Sequence, residues 1–154
     1  MDLLLNIISV LAFVMTSITW IVGYFSRRLK ISVEIKDHAK RRKVVQFYLY
    51  LQNKSSSPVT ISGISILDNA VKYPCEYYPK IIRTRNNDVV IQTPYLPVNL
   101  AAHQGACYAF EFLNCQDIEL VPGKTVELEI YTNRKPLTKS LVLPPEGNIL
   151  HLRN

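Results

Sequence analysis

Val45-Gln46-Phe47-Tyr48-Leu49-Tyr50-Leu51-Gln52 alternates with a period of two and is built from β-branched and aromatic residues, the signature of a strand with one face in a core. Upstream, Ile31-Ser32-Val33-Glu34-Ile35-Lys36 alternates in the same way, and Asp37-His38-Ala39-Lys40-Arg41-Arg42 between the two reads as a polar turn. Downstream, Asn53-Lys54-Ser55-Ser56-Ser57-Pro58 reads as a loop and Val59 to Ile66 as a third strand. Further strands are expected over Val89 to Thr93, Cys107 to Leu113, Thr125 to Thr132 and Lys139 to Leu143. About seven short strands with turn signals between them, and no amphipathic helix, predict an all-β fold: an antiparallel sandwich of two sheets.

Ahead of these strands, Leu3 to Phe25 carries no charged side chain. At ~1.5 Å per residue this run reaches ~34 Å as a helix, enough for a hydrocarbon core of ~30 Å. A secretory signal needs a basic n-region, a shorter apolar core and a small-residue cleavage site, whereas this run starts at Met1-Asp2 and ends in Trp20, Tyr24 and Phe25. The expected organisation is a transmembrane anchor at 1–25, a basic juxtamembrane linker at 26–30 and one β-sandwich domain at 31–154. Arg27, Arg28 and Lys30 follow the apolar run and nothing basic precedes it, so the positive-inside rule puts the N-terminus outside and the domain in the cytoplasm.

The formal charge of +6 is uneven, because 27–43 holds eight Lys/Arg against Glu34 and Asp37, while 44–154 is nearly balanced. Arg27, Arg28, Lys30, Lys40, Arg41, Arg42 and Lys43 are therefore the expected membrane-surface contacts, each gaining roughly 1 kcal/mol near an anionic leaflet. A first strand standing upright would carry the Lys40–Lys43 run ~20 Å from the bilayer, beyond a Debye length of ~8 Å, so joint contact needs a tilted domain. Nucleic acid is not expected as a partner, since the basic run comes without a recognition helix or stacking platform.

The long strand, the Asn-Lys-Ser-Ser-Ser-Pro loop, Val59-x-Ile61-x-x-Ile64, Leu96-Pro97-Val98-Asn99-Leu100 and Val121-Pro122-Gly123-Lys124 together resemble immunoglobulin-like or fibronectin-III-like domains over residues 31 to 143. The Cys…Trp…Cys core of true immunoglobulin domains is lacking, the one tryptophan being Trp20. The resemblance implies a binding module by analogy.

No enzyme is expected. His38, His103 and His151 have no evident partners, and the residues after Ser65 break the nucleophile-elbow spacing. Cys75, Cys107 and Cys115 are odd in number without metal spacing, so no disulfide framework, metal or cofactor is expected.

Two features point to protein contacts. Ser9, Ala12, Thr16, Thr19 and Gly23 recur every three or four residues and form a small-residue helix face suited to homodimer packing. Tyr73, Tyr77 and Tyr78 in Tyr73-Pro74-Cys75-Glu76-Tyr77-Tyr78-Pro79-Lys80 supply rigid aromatic area for an unidentified protein partner. The reading is a single-pass membrane protein with a cytoplasmic interaction or scaffolding domain. Its alternatives are an extracytoplasmic adhesion or envelope module, which a glycan at the Asn53-Lys54-Ser55 sequon would favour, and a membrane-bound enzyme.

Overall fold

A computed structural model describes residues 2–26, 28–85, 88–147 and 149–150. Helix α1 (Asp2–Ser26) contains a span, Asn6–Tyr24, that is long and apolar enough to cross a membrane, and 0% of it is buried by the rest of the chain. An apolar helix left uncovered in this way requires another apolar environment.

The remainder is antiparallel β-structure. One sheet has the order β1 (Ile31–Arg41), β2 (Val44–Asn53), β8 (Gly105–Phe112). The other runs β10 (Leu137–Val142), β9 (Thr125–Thr132), β3 (Val59–Asp68), β4 (Val71–Pro74), with β7 (Val98–Leu100) pairing β3 beside β4. A separate hairpin joins β5 (Ile81–Arg85) to β6 (Asp88–Gln92).

The alternation in β2 sends Val45, Phe47, Leu49 and Leu51 into one core with Ile61, Ile64 and Ile66 of β3 and Leu128 and Ile130 of β9. Phe47 meets Phe112 edge-on, with ring centroids 5.6 Å apart. Burying one such aromatic contributes about 3 kcal/mol. The outer face of the first sheet is covered as well. Ala39 and Ala109 form a small second core with Leu150, and Tyr48, Ile82 and Ile91 pack against it.

All seven strands expected from alternation are present, and β4, β5 and β7 are additional. The expected polar turn from Asp37 to Arg42 is mostly strand: β1 continues to Arg41 and only Arg42 and Lys43 form the hairpin turn. A bulge between Ile35 and Asp37 resets the register, so that His38 pairs with Phe47 and Lys40 with Val45. Asp37 and His38 are buried. Asp37 remains tolerable there because its carboxylate accepts backbone N–H groups from Gly147 at 2.9 Å, Ile149 at 2.7 Å and Leu150 at 2.8 Å.

Candidate functional site

The basic residues separate into two groups at opposite ends of β1. Lys40 is not available to a membrane, because its ammonium donates to the carbonyls of Gln116 (2.8 Å) and Ile118 (2.5 Å). Arg41, Arg42 and Lys43 lie at the β1–β2 hairpin. That hairpin is ~35 Å of strand away from Ile31, the end of β1 nearest α1. At the near end, Arg28 stacks over Tyr24 with its guanidinium carbon 5.4 Å from the ring centroid. Arg27 lies outside the described residues.

Lys30 belongs to a cleft of about 410 Å³ between the free edges of β1 and β10, lined by Leu29, Lys30, Ile31, Lys54, Leu137 and Lys139 among others. Three lysines from distant parts of the sequence therefore border one opening. Among the described residues none of the three has an ion pair, whereas Lys36, Lys72 and Lys80 each hold a carboxylate.

The cleft has a stiff floor. The Lys54 N–H donates to the Lys30 carbonyl at 2.7 Å, tying the loop after β2 to the linker after α1. Buried Asn53 organises that loop: its amide donates to the carbonyls of Ser57 (2.9 Å), Leu100 (3.3 Å) and Ala101 (3.0 Å), and its side-chain oxygen accepts the N–H and hydroxyl of Ser55. With its amide fully engaged inside the fold, Asn53 has no room for a glycan, so the sequon loses its force as a marker of extracytoplasmic placement.

On α1, the Thr16 hydroxyl donates to the Ala12 carbonyl and that of Thr19 to the Met15 carbonyl, both at 2.8 Å. These donors are consumed within the helix, so contact along the Ser9, Ala12, Thr16, Thr19, Gly23 face would rest on close packing. Nothing lies within 4 Å of a Cβ built on Gly23, which leaves a notch on that face.

The tyrosines also separate. Tyr73 is half-buried and packs against the main core. Tyr77 and Tyr78 are exposed, Tyr78 at 79%, with Ile81 at 60% and Tyr95 at 74% nearby in the chain pairing. Hydrogen bonds bring those segments together: the Thr93 N–H donates to the Lys80 carbonyl at 2.8 Å and the Thr93 hydroxyl to the Tyr78 carbonyl at 3.2 Å. The Lys80 ammonium bonds Glu111 at 2.6 Å, which raises the lysine pKa and fixes this segment to β8. Exposed aromatic and aliphatic side chains held on an ordered backbone are suited to recognition.

Cys75 and Cys115 are buried and Cys107 is exposed, none bonded to another. Burial pushes the Cys115 thiol up to about 11 and the Cys75 thiol upward as well. Among the described residues no group of three or more His, Cys, Asp or Glu side chains is placed to hold a metal ion.

No family model matches the chain, and no curated protein matches it. Among solved structures, one described as "Apo PCuAC domain from PmoF1" superposes with a TM-score of 0.50 at 14% identity, over 76% of this chain and 94% of that one. The likeness is one of fold, an antiparallel β domain.

The sequence reading missed the cleft. Lys139 offered one signal: it alternates with Leu137 and Leu141, both packed against the core, so a lysine stands where the pattern calls for an apolar residue.

Proposed function

We propose that this chain is a single-pass membrane protein in which residues 1–25 anchor, 26–30 link, and 31–154 form a cytoplasmic immunoglobulin-like β-sandwich that binds another protein at the membrane surface. The observation that carries this reading is the division of exposed apolar surface. The anchor helix is covered by nothing in the domain, while the domain has a complete core of its own and still presents Tyr77, Tyr78, Ile81 and Tyr95 on an ordered edge. The first surface suits lipid and the second suits a protein, since rigid aromatics bury large area at small entropic cost.

Cytoplasmic placement rests on Arg27, Arg28 and Lys30 following the apolar run. Cys107, the exposed cysteine, provides the test. A membrane-impermeant maleimide added to intact cells should leave it unlabelled and should label it after permeabilisation. Labelling in intact cells would favour the extracytoplasmic reading. For the interaction role, a photo-crosslinker at position 78 should trap a discrete partner, whereas one at Thr138, on the exposed face of β10, should not; equal yields at both positions would sink the interface.

A further inference from the structure

We propose that the cleft between β1 and β10 binds the headgroup of an anionic phospholipid from the leaflet next to the end of α1. This rests on reading α1 as a membrane span, and it replaces the whole basic segment by three particular residues, two of them far from that segment in sequence.

Lys30, Lys54 and Lys139 line one opening with no carboxylate among its lining residues, and none has an ion pair among the described residues. Like charges bordering one opening make its potential positive, and an anion held among them relieves their mutual repulsion. Lys139 sharpens the point, because it sits on the core-facing side of an edge strand between two leucines.

The cleft is mixed in character. Leu29, Ile31 and Leu137 line the same cleft as the lysines. A free anion would use only the cationic part. A phospholipid presents phosphate and hydrocarbon in series and uses both. The two bordering strands are sheet edges, and an edge strand leaves outward backbone N–H groups without a strand partner, a further source of donors for phosphate oxygens. The volume of about 410 Å³ falls within the range in which small-molecule groups are held.

Leu29 and Lys30 follow the last helical residue, Ser26, within four positions, so the cleft opens where the chain leaves the bilayer. The Lys54 N–H to Lys30 carbonyl bond and the Asn53 bonds behind it hold two walls of the cleft in place without lipid. A site formed in advance loses less ordering entropy on binding.

The full chain, reconstituted into phosphatidylcholine nanodiscs containing a minor fraction of phosphatidylglycerol and released for native mass spectrometry, should retain phosphatidylglycerol above its share. Lys54→Gln with Lys139→Gln should lower that retention by about thirty-fold. Arg42→Gln with Lys43→Gln removes the same charge from the far hairpin and should leave it unchanged. Lys54→Arg with Lys139→Arg should preserve it, which separates loss of charge from loss of fold. Equal retention by the first pair and the hairpin pair would overturn the site. So would equal retention of inorganic phosphate in pure phosphatidylcholine discs, or displacement of the lipid by a soluble acidic peptide. A chain that does not enter the discs at all removes the anchor reading, while one that enters without preference for phosphatidylglycerol removes the cleft alone.

Discussion

The carboxylate of Asp37 accepts the backbone N–H of Leu150 at 2.8 Å, joining the middle of β1 to the far end of the chain. With the bonds from Gly147 and Ile149, this lays the C-terminal segment over the outer face of the first sheet, where Leu150 completes the small core with Ala39 and Ala109. Asp37→Ala leaves these N–H groups, the buried one of Leu150 among them, without their partner and should cost about 3 kcal/mol. Hydrogen exchange should show the loss first at residues 147 to 150. Gly147→Ala should act in the same direction, since its Cβ would lie 2.7 Å from the Asp37 Oδ1. Unchanged exchange in both variants would mean that the latch contributes nothing.

The same residue shows where sequence reading stops. Strands β2, β3 and β9 were legible because their alternation matches a sheet with one face buried, and Phe47 and Leu49 indeed share the core face. Asp37-His38 reads as a turn because a polar pair normally signals exposure; the partners of Asp37 lie more than a hundred residues away, and no local pattern reveals them. β4 and β7 are too short for periodicity to register, and Pro74 and Tyr73 disguise the first of them. The basic cleft was illegible for the same reason as the latch, since Lys30, Lys54 and Lys139 converge only once β1 and β10 become neighbouring edges.

Thiol reactivity should divide the cysteines. The thiolate is the reacting species, and a thiol held at about 11 is about one part in a thousand thiolate at pH 8. Iodoacetamide on the folded chain should therefore modify exposed Cys107 and spare Cys75 and Cys115. The raised value also fixes a sign for stability. Cys115 favours the folded state below its ordinary value of 9.0, and that contribution is lost as pH rises from there through about 11. Cys115→Ala should flatten the fall in melting temperature over this alkaline window, and an identical fall in both proteins would refute the assignment.

Asn53 should tolerate no replacement. Its amide serves three carbonyls and its oxygen serves Ser55, so Asn53→Ala leaves several buried groups unpaired and should cost about 3 kcal/mol. Asn53→Asp should be at least as harmful, because a carboxylate would face those carbonyls with nothing to donate. Denaturation midpoints of the two variants test this ordering. A domain that folds normally with a glycan on Asn53 would contradict the buried geometry.

The β3–β4 hairpin offers a stabilising change. Asp68 pairs with Val71, leaving Asn69 and Ala70 as the whole loop, with φ of 47° and 66°. Positive φ at both central positions is the tight turn whose twist suits a hairpin, and it favours Asn followed by Gly. Asn69 matches; Ala70 does not, because its Cβ crowds the backbone in the left-handed region at a cost of roughly 1 kcal/mol. Both residues are exposed, so substitution meets no packing constraint. Ala70→Gly should gain up to about 1 kcal/mol, less whatever the added freedom of the unfolded chain takes back, and so raise the melting temperature by a few degrees. Ala70→Val, β-branched at positive φ, should lower it. A melting temperature that falls for glycine as well as for valine would show that this turn is not strained at Ala70.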